Sequence, residues 1–323
     1  MSGRPQSPTP VHPCRPEGGF MSKASHRVPY LLVDAFTEVP GGGNRVALVL
    51  DARGLSTEEM QLVAARLGQP QAAFVTDWEG TGFEVRFFAA NGEVEFSGHA
   101  AVGLALSLLQ EGLLPEGVNR LYLRTIGESL TVELSEGRAL VQSPSPRFRD
   151  PPSWKVLQEF IEVMGANERY LHRGLPYGIT FTGLWTLFMP VVAPGLVDAL
   201  EPDMDRLAAL SNELEVATVH VYAPYGPRRF YARTFAPALG IPEDPVTGSP
   251  NAALGALLAR AGVVPRWEGE VNLTVTQGHR MGGPGQVEVR VEYGPAGNIL
   301  GVYIGGTAVL AENGVVELGG NLN

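Results

Sequence analysis

Two segments of the chain break the usual alternation of apolar and polar faces. AAVGLALSLL (100–109) and PNAALGALLA (250–259) are apolar on nearly every side, and in a globular chain this describes a helix enclosed by protein all round. Each follows a glycine turn, Ser97-Gly98-His99 in one case and Thr247-Gly248-Ser249 in the other. Each turn in turn follows a strand-like segment that opens on arginine: Arg86-Phe87-Phe88-Ala89-Ala90-Asn91-Gly92, and Arg233-Thr234-Phe235-Ala236-Pro237. The same order of features recurs some 150 residues later, so the chain reads as two halves of one design.

Around these helices the pattern is mostly that of short strands. PYLLVDAF and VALVLD, joined across Pro40-Gly41-Gly42-Gly43-Asn44, read as a hairpin, followed by AAFVTD, FEVRFF, LYLRTIG, SLTVELS and GRALVQS. Ser56-Thr57-Glu58-Glu59 is a helix start, and Leu55, Met60, Val63, Ala64 and Leu67 keep helical spacing until Gly68. The second half repeats the grammar, with WKVLQEFIEVM and DMDRLAALSNELE as helices. Its strands are GITFTG, WTLFMPVV, TVHVYAP, RRFYARTFAP, VNLTVTQG, QVEVRVEY, NILGVYIGGTAVL and GVVEL. Ser143-Pro144-Ser145-Pro146 and Pro151-Pro152 mark a linker. The fold class expected is α+β, with two pseudo-symmetric halves, each a curled, mostly antiparallel sheet around a central buried helix. The domains expected are a disordered tail over 1–26, a first domain over 27–146, a second over 147–306, and a C-terminal strand over 307–323 that crosses back to the first. Met21 is a candidate for the biological start, with residues 1–20 a disordered extension ahead of it.

A helix buried at its beginning has backbone N–H groups that need acceptors, and a bound anion is one solution, favoured by the positive end of the helix dipole. Two such starts point to a cleft between the halves that holds a small carboxylated metabolite. His99, on the first turn, can hydrogen-bond that carboxylate or move a proton near neutral pH; it can equally cap the helix. Asp244 is either a residue satisfying helix-start N–H groups or a carboxylate facing the cleft. Ser97, Gly98, Thr247, Gly248 and Ser249 line the two turns. Glu93 and Glu95 alternate with apolar residues, the pattern of a solvated strand face.

Composition removes several alternatives. A net charge of −10 disfavours a nucleic-acid surface. One cysteine, Cys14, builds neither disulfides nor a thiolate metal site, and the six histidines show no metal-ligand spacing. Only two lysines, Lys23 and Lys155, leave no placed lysine for a Schiff base or a phosphate loop. No apolar run is long enough for a membrane span and no secretory h-region is present; a cytoplasmic protein is expected. A Gly-x-Ser-x-Gly elbow is absent, and a hydrolase built on Thr247 or Ser249 has no base placed by sequence.

The stretches DAFTEVPGGGNRVALVLD, LVAARLGQPQAAFV, VRFFAANGEVEFSGHAAVG, RTFAPALGIPEDPVTGSPNAALG and TQGHRMGGPGQVEVRVE resemble the phenazine-biosynthesis isomerase (PhzF-like) family, which shares the diaminopimelate epimerase fold. The resemblance runs from about residue 29 to 310. It implies a cofactor-independent isomerase, a homodimer, with its site between two similar halves and with Asn44 beside the substrate. Epimerase relatives use a cysteine from each half, and neither turn here holds one, so two-cysteine racemisation is excluded. The isomerase branch uses a glutamate in a Ser-Glu-x-x-Phe-Val-like segment, assisted by the histidine and aspartate of the two turns. Here that glutamate falls on Gln71, an amide, which cannot exchange a proton as a carboxylic acid does. Arg45 stands where the family has proline, and Gly283 where many relatives have arginine. The resemblance thus implies a catalytic set of Gln71, His99 and Asp244. The alternative reading is a paralogue that keeps the cleft as a small-molecule binding protein.

Overall fold

The structure is a computed structural model and describes residues 26–127 and 129–319. The expectations for residues 1–25, including Met21, lie outside the described residues. Six α-helices are present among them: α1 (Thr57–Leu67), α2 (Gly98–Gln110), α3 (Trp154–Val163), α4 (Pro194–Asp198), α5 (Met204–Glu213) and α6 (Gly248–Arg260). The Ser56 start is a full capping box with Glu59, and Gly68 closes α1 in the left-handed conformation.

The two halves repeat one another strand for strand. In the first, His26–Ala35, Asn44–Val49, Gln71–Glu79, Gly82–Ala89, Arg120–Arg124, Ser129–Ser135 and Arg138–Gln142 pair in that order, and the steps run antiparallel, parallel, antiparallel, parallel, antiparallel, antiparallel. The second runs through Gly178–Phe181, Trp185–Pro190, Thr218–Gly226, Arg229–Ala236, Glu270–Gln277, Gly285–Tyr293 and Ile299–Gly306 with the same sequence of steps. A parallel step needs a crossover. In each half the second parallel step is crossed by the apolar helix, α2 or α6, which therefore lies inside its own curled sheet. From Gly98 to Leu108 and from Gly248 to Ala259 every residue is buried. Helix α1 packs on the outer face of the first sheet, and α3, α4 and α5 on that of the second.

The pairing does not stop at the proposed division near residue 146. Arg138–Gln142 pairs with Ile299–Gly306, and the expected linker contains a short strand, Arg147–Arg149, paired with Gly178–Phe181. The division stays a proposal. One strand expectation is corrected: NILGVYIGGTAVL and GVVEL are not two strands parted near Asn313. The break falls at Thr307, after Gly306 with φ of 144°, and Ala308–Leu318 continues as one strand paired with His26–Ala35 of the first half. The redirection is a backbone event, invisible to apolar spacing.

The α6 helix approaches its sheet closely at Gly255, where an added Cβ would lie 2.4 Å from Val289 Cγ1. Valine has little χ1 freedom to yield. Gly255→Ala is therefore expected to destabilise the protein by about 1–3 kcal/mol, measured as a lower midpoint in urea. An unchanged midpoint would show that the sheet relaxes around it.

Candidate active site

Both buried helices begin at one place. A Cβ on Gly248 would sit 3.3 Å from the Gly98 Cα, and one on Gly98 would sit 2.8 Å from Ile304 Cδ1, so the two turns meet glycine to glycine. Ser97 caps α2 through its Oγ, which accepts from the Ala100 N–H at 3.3 Å. Just ahead of each turn an arginine grips a glutamate in bidentate fashion. Arg86 holds Glu93 at 2.7 and 2.5 Å, and Arg233 holds Glu243 at 2.9 and 2.8 Å. Glu93 is thus a paired residue and not part of a solvated face; Glu95 is exposed. The arginines that open the two sequence repeats are the residues that fix the short strands leading into each helix.

Asn44 and Asp244 join the halves at this point. The Asn44 Nδ2 donates to Asp244 Oδ1 at 2.8 Å and to the Val246 carbonyl at 2.9 Å. No backbone N–H donates to the Asp244 carboxyl among the described residues, so it is not a helix-start cap. Asp244 keeps part of its surface exposed, but its carboxyl lies within the protein. Burial pushes its pKa up to about 6, against the opposing hydrogen bonds of Thr247 and Asn44. Desolvation outweighs those bonds.

His99 goes the other way. It is 8% exposed, its Nε2 has no hydrogen-bond partner, and burial alone lowers its pKa to about 4. At pH 7 His99 is therefore a neutral ring, with one nitrogen able to donate and the other to accept. Gln71 opens the strand Gln71–Glu79 in phase with Ala73 and Val75, which pack with α2, as Asn44 is in phase with Val46 and Leu48. Both side chains therefore stand on the α2 face of the sheet. The Gln71 Oε1 and Asn44 Oδ1 are buried and unpaired. No hydrogen bond links Gln71, His99 and Asp244 to one another among the described residues.

The second turn rests on a residue that the sequence reading did not single out. The buried Gln277 donates from Nε2 to Asp244 O, Thr247 Oγ1 and Thr234 Oγ1 at 2.9, 3.1 and 3.1 Å. Its Oε1 accepts from Asn251 Nδ2 at 3.0 Å and, less closely, from Thr247 N at 3.4 Å. Behind it, Thr234 meets His220 Nδ1 at 2.8 Å. The signal was present in VNLTVTQG, where Val271, Leu273 and Val275 face the core and Gln277 continues their phase. Gln277→Met would strand several buried donors and acceptors at once. A stability loss of about 2–4 kcal/mol is expected by urea unfolding; a loss under ~1 kcal/mol would show the network to be dispensable. Ser249 is not free to act as a nucleophile: its hydroxyl donates to Thr182 O at 2.6 Å, while Thr182 Oγ1 donates to Ser249 O at 2.7 Å. The clamp commits the hydroxyl proton and the carbonyl of Ser249, not its backbone N–H at the start of α6.

The departures at Arg45 and Gly283 have local explanations. Arg45 forms a bidentate pair with the buried Asp34, at 2.7 and 2.9 Å, and Asp34 also accepts from the Gly41 N–H, which fixes the turn ahead of Asn44. Gly283 abuts that turn: a Cβ there would lie 2.9 Å from the Gly41 carbonyl oxygen. Two surface hollows, about 490 and 410 Å³, lie away from the helix starts; it is the unpaired buried atoms and the raised Asp244 that mark the site. Among the described residues no three His, Cys, Asp or Glu side chains gather in a metal-holding group, and no helix is long and apolar enough to cross a membrane.

Two matched halves with converging helix starts, a histidine on the first turn of one and an aspartate just ahead of the other, define the fold. The chain belongs to the family described as phenazine biosynthesis-like protein (PhzC-PhzF), whose profile matches residues 33–314. It is 42% identical to an uncharacterized isomerase of Deinococcus radiodurans over 88% of this chain and 94% of that one. It is 30% identical to the trans-2,3-dihydro-3-hydroxyanthranilate isomerase of Pseudomonas fluorescens, over 90% and 99% of the two chains. A Bacillus anthracis PhzF-family phenazine biosynthesis protein superposes with a TM-score of 0.82 at 29% identity, covering 90% of this chain and 99% of the other. By these relationships the chain is an isomerase.

Proposed function

We propose that the protein is a cofactor-independent isomerase that moves a proton on a small carboxylated metabolite bound where α2 and α6 begin. The single observation that carries this reading is Asp244, a buried carboxyl raised to about 6 and held by Asn44 of the opposite half. A group of that pKa is close to even exchange with water at neutral pH, which general acid–base work requires. In its ionised form Asp244 takes the proton from one position and, as the carboxylic acid, returns it at another, which regenerates the carboxylate, while the neutral His99 ring hydrogen-bonds the substrate. Gln71 Oε1 and Asn44 Oδ1 accept from the substrate's own donors, and the backbone N–H groups of Gly98, Gly248 and Ser249, with Ser97 and Thr247 beside them, meet its carboxylate. Trans-2,3-dihydro-3-hydroxyanthranilate, the substrate named for the P. fluorescens relative, is the first compound to try. A cytoplasmic homodimer is part of the same proposal.

A second reading, a binding protein without catalysis, is favoured by one observation: Gln71 puts an amide, buried and unpaired at Oε1, where the family resemblance implies a carboxylate. Solvent deuterium incorporation into trans-2,3-dihydro-3-hydroxyanthranilate separates the two. Exchange by the wild type that is lost in Asp244→Asn is the expected result. Binding seen by calorimetry with no exchange would establish the second reading.

A further inference from the structure

The hollow of about 410 Å³ is built from both halves, on the opposite side of a strand from the site just described. Thr276 lines it, while the next residue, Gln277, points inward to Asp244 and Thr247. Thr276 is 5% exposed and its hydroxyl has no partner, although buried hydroxyls are ordinarily hydrogen-bonded. The floor includes Phe36, a buried aromatic residue with φ of 66°, a conformation that bulky side chains avoid. Its N–H is taken by Thr307 O, at the break before the returning strand, and its carbonyl by Gln286 N of the second half, at 2.8 Å each. A left-handed bulky residue held this way is the kind of backbone strain that collects at ligand sites.

The charges of the hollow give the ligand's chemistry. Arg138 of the first half is paired with Glu288 of the second, which neutralises one cation and one anion. Arg229 and Glu38 remain, both lining the hollow and neither in an ion pair among the described residues. Arg229 lies beside the Tyr225 ring, 5.4 Å from its centroid, and His279 lies against the Tyr231 ring at 5.2 Å. A simple anion would meet Arg229 but be opposed by Glu38, and a simple cation would meet the reverse. A ligand carrying both charges complements both. We propose that this hollow binds a small zwitterion of the α-amino acid class, its carboxylate on Arg229 and the Thr276 hydroxyl, its ammonium on Glu38.

The test is direct binding to the full chain. The common L-amino acids are screened at millimolar concentration by thermal shift, and any that raise the melting temperature are titrated by calorimetry beside the matched compounds lacking the amine or lacking the carboxylate. At least one amino acid should bind, and both of its truncated counterparts should bind about tenfold or more weakly, the usual consequence of losing one charge-assisted contact. Arg229→Gln and Glu38→Gln, both exposed positions whose replacement should leave the fold intact, should each weaken binding by a similar factor, and Thr276→Val by less. Asp244→Asn should leave it unchanged, which separates this site from the one between the helix starts. Absence of binding by every amino acid, equal binding of the deaminated compound, or loss of binding in Asp244→Asn would each overturn the proposal; the first two leave the proton-transfer reading untouched, and the third would move the ligand to the site at Asp244.

Discussion

Replacing Gln71 by glutamate is expected to raise proton exchange sharply. The substitution restores a titratable carboxyl of nearly the same shape, on the α2 face of the sheet, and positioned general acid–base assistance is worth ~10²–10⁴-fold in rate. The assay is deuterium incorporation from heavy water into trans-2,3-dihydro-3-hydroxyanthranilate by wild type, Gln71→Glu, and Gln71→Glu combined with Asp244→Asn. The wild type should be slow, the single variant faster, and the double variant should forfeit part of the gain. If the wild type exchanges at full enzymatic rate and Asp244→Asn alone abolishes it, Gln71 is no lesion and Asp244 carries the transfer unaided. If Gln71→Glu gains nothing while substrate binds, the two-carboxyl mechanism does not operate in this chain.

Asp244→Asn is expected to trade activity for stability. The folded pKa of about 6 lies above the ~3.9 of an unfolded aspartate, so the native state resists ionisation. In the wild type this disfavours folding progressively as pH rises from about 4 to about 6, and the deficit is constant above that. Two units correspond to about 2–3 kcal/mol. The amide variant, which carries no charge to bury, should therefore unfold at higher urea than wild type at pH 7, and match it below pH 4. Exchange by the wild type, if Asp244 acts as the base, should rise with pH and level off above about 6, and the variant should lack that inflection. Equal stability at pH 7, or a rate profile flat from pH 5 to 7, would contradict a buried, functional carboxyl. His99, lowered to about 4, contributes no inflection in that range.

Much of this architecture follows from the order of residues alone. The two all-round apolar segments read as enclosed helices, because such faces are costly to leave in water, and they are α2 and α6. Ser56 with Glu59 fixed the start of α1 through a local capping box, a feature that needs nothing beyond four consecutive residues. The repeated turns at Gly98 and Gly248 were legible because glycine and a short polar residue ahead of an apolar run mark a helix start.

What tertiary structure decided is which side chains meet. Nothing local pairs Asn44 with Asp244, 200 residues away, or ties Gln277 to Asp244 and Thr247; both depend on strands and turns from distant sequence being brought to one place. The same packing clamped the Ser249 hydroxyl to Thr182, and gave Arg45 a partner in Asp34. The ionisation of the site was set in the same way. Sequence supplied an aspartate and a histidine, and burial moved them in opposite directions, because desolvation disfavours whichever form is charged: the carboxylate of Asp244 and the imidazolium of His99.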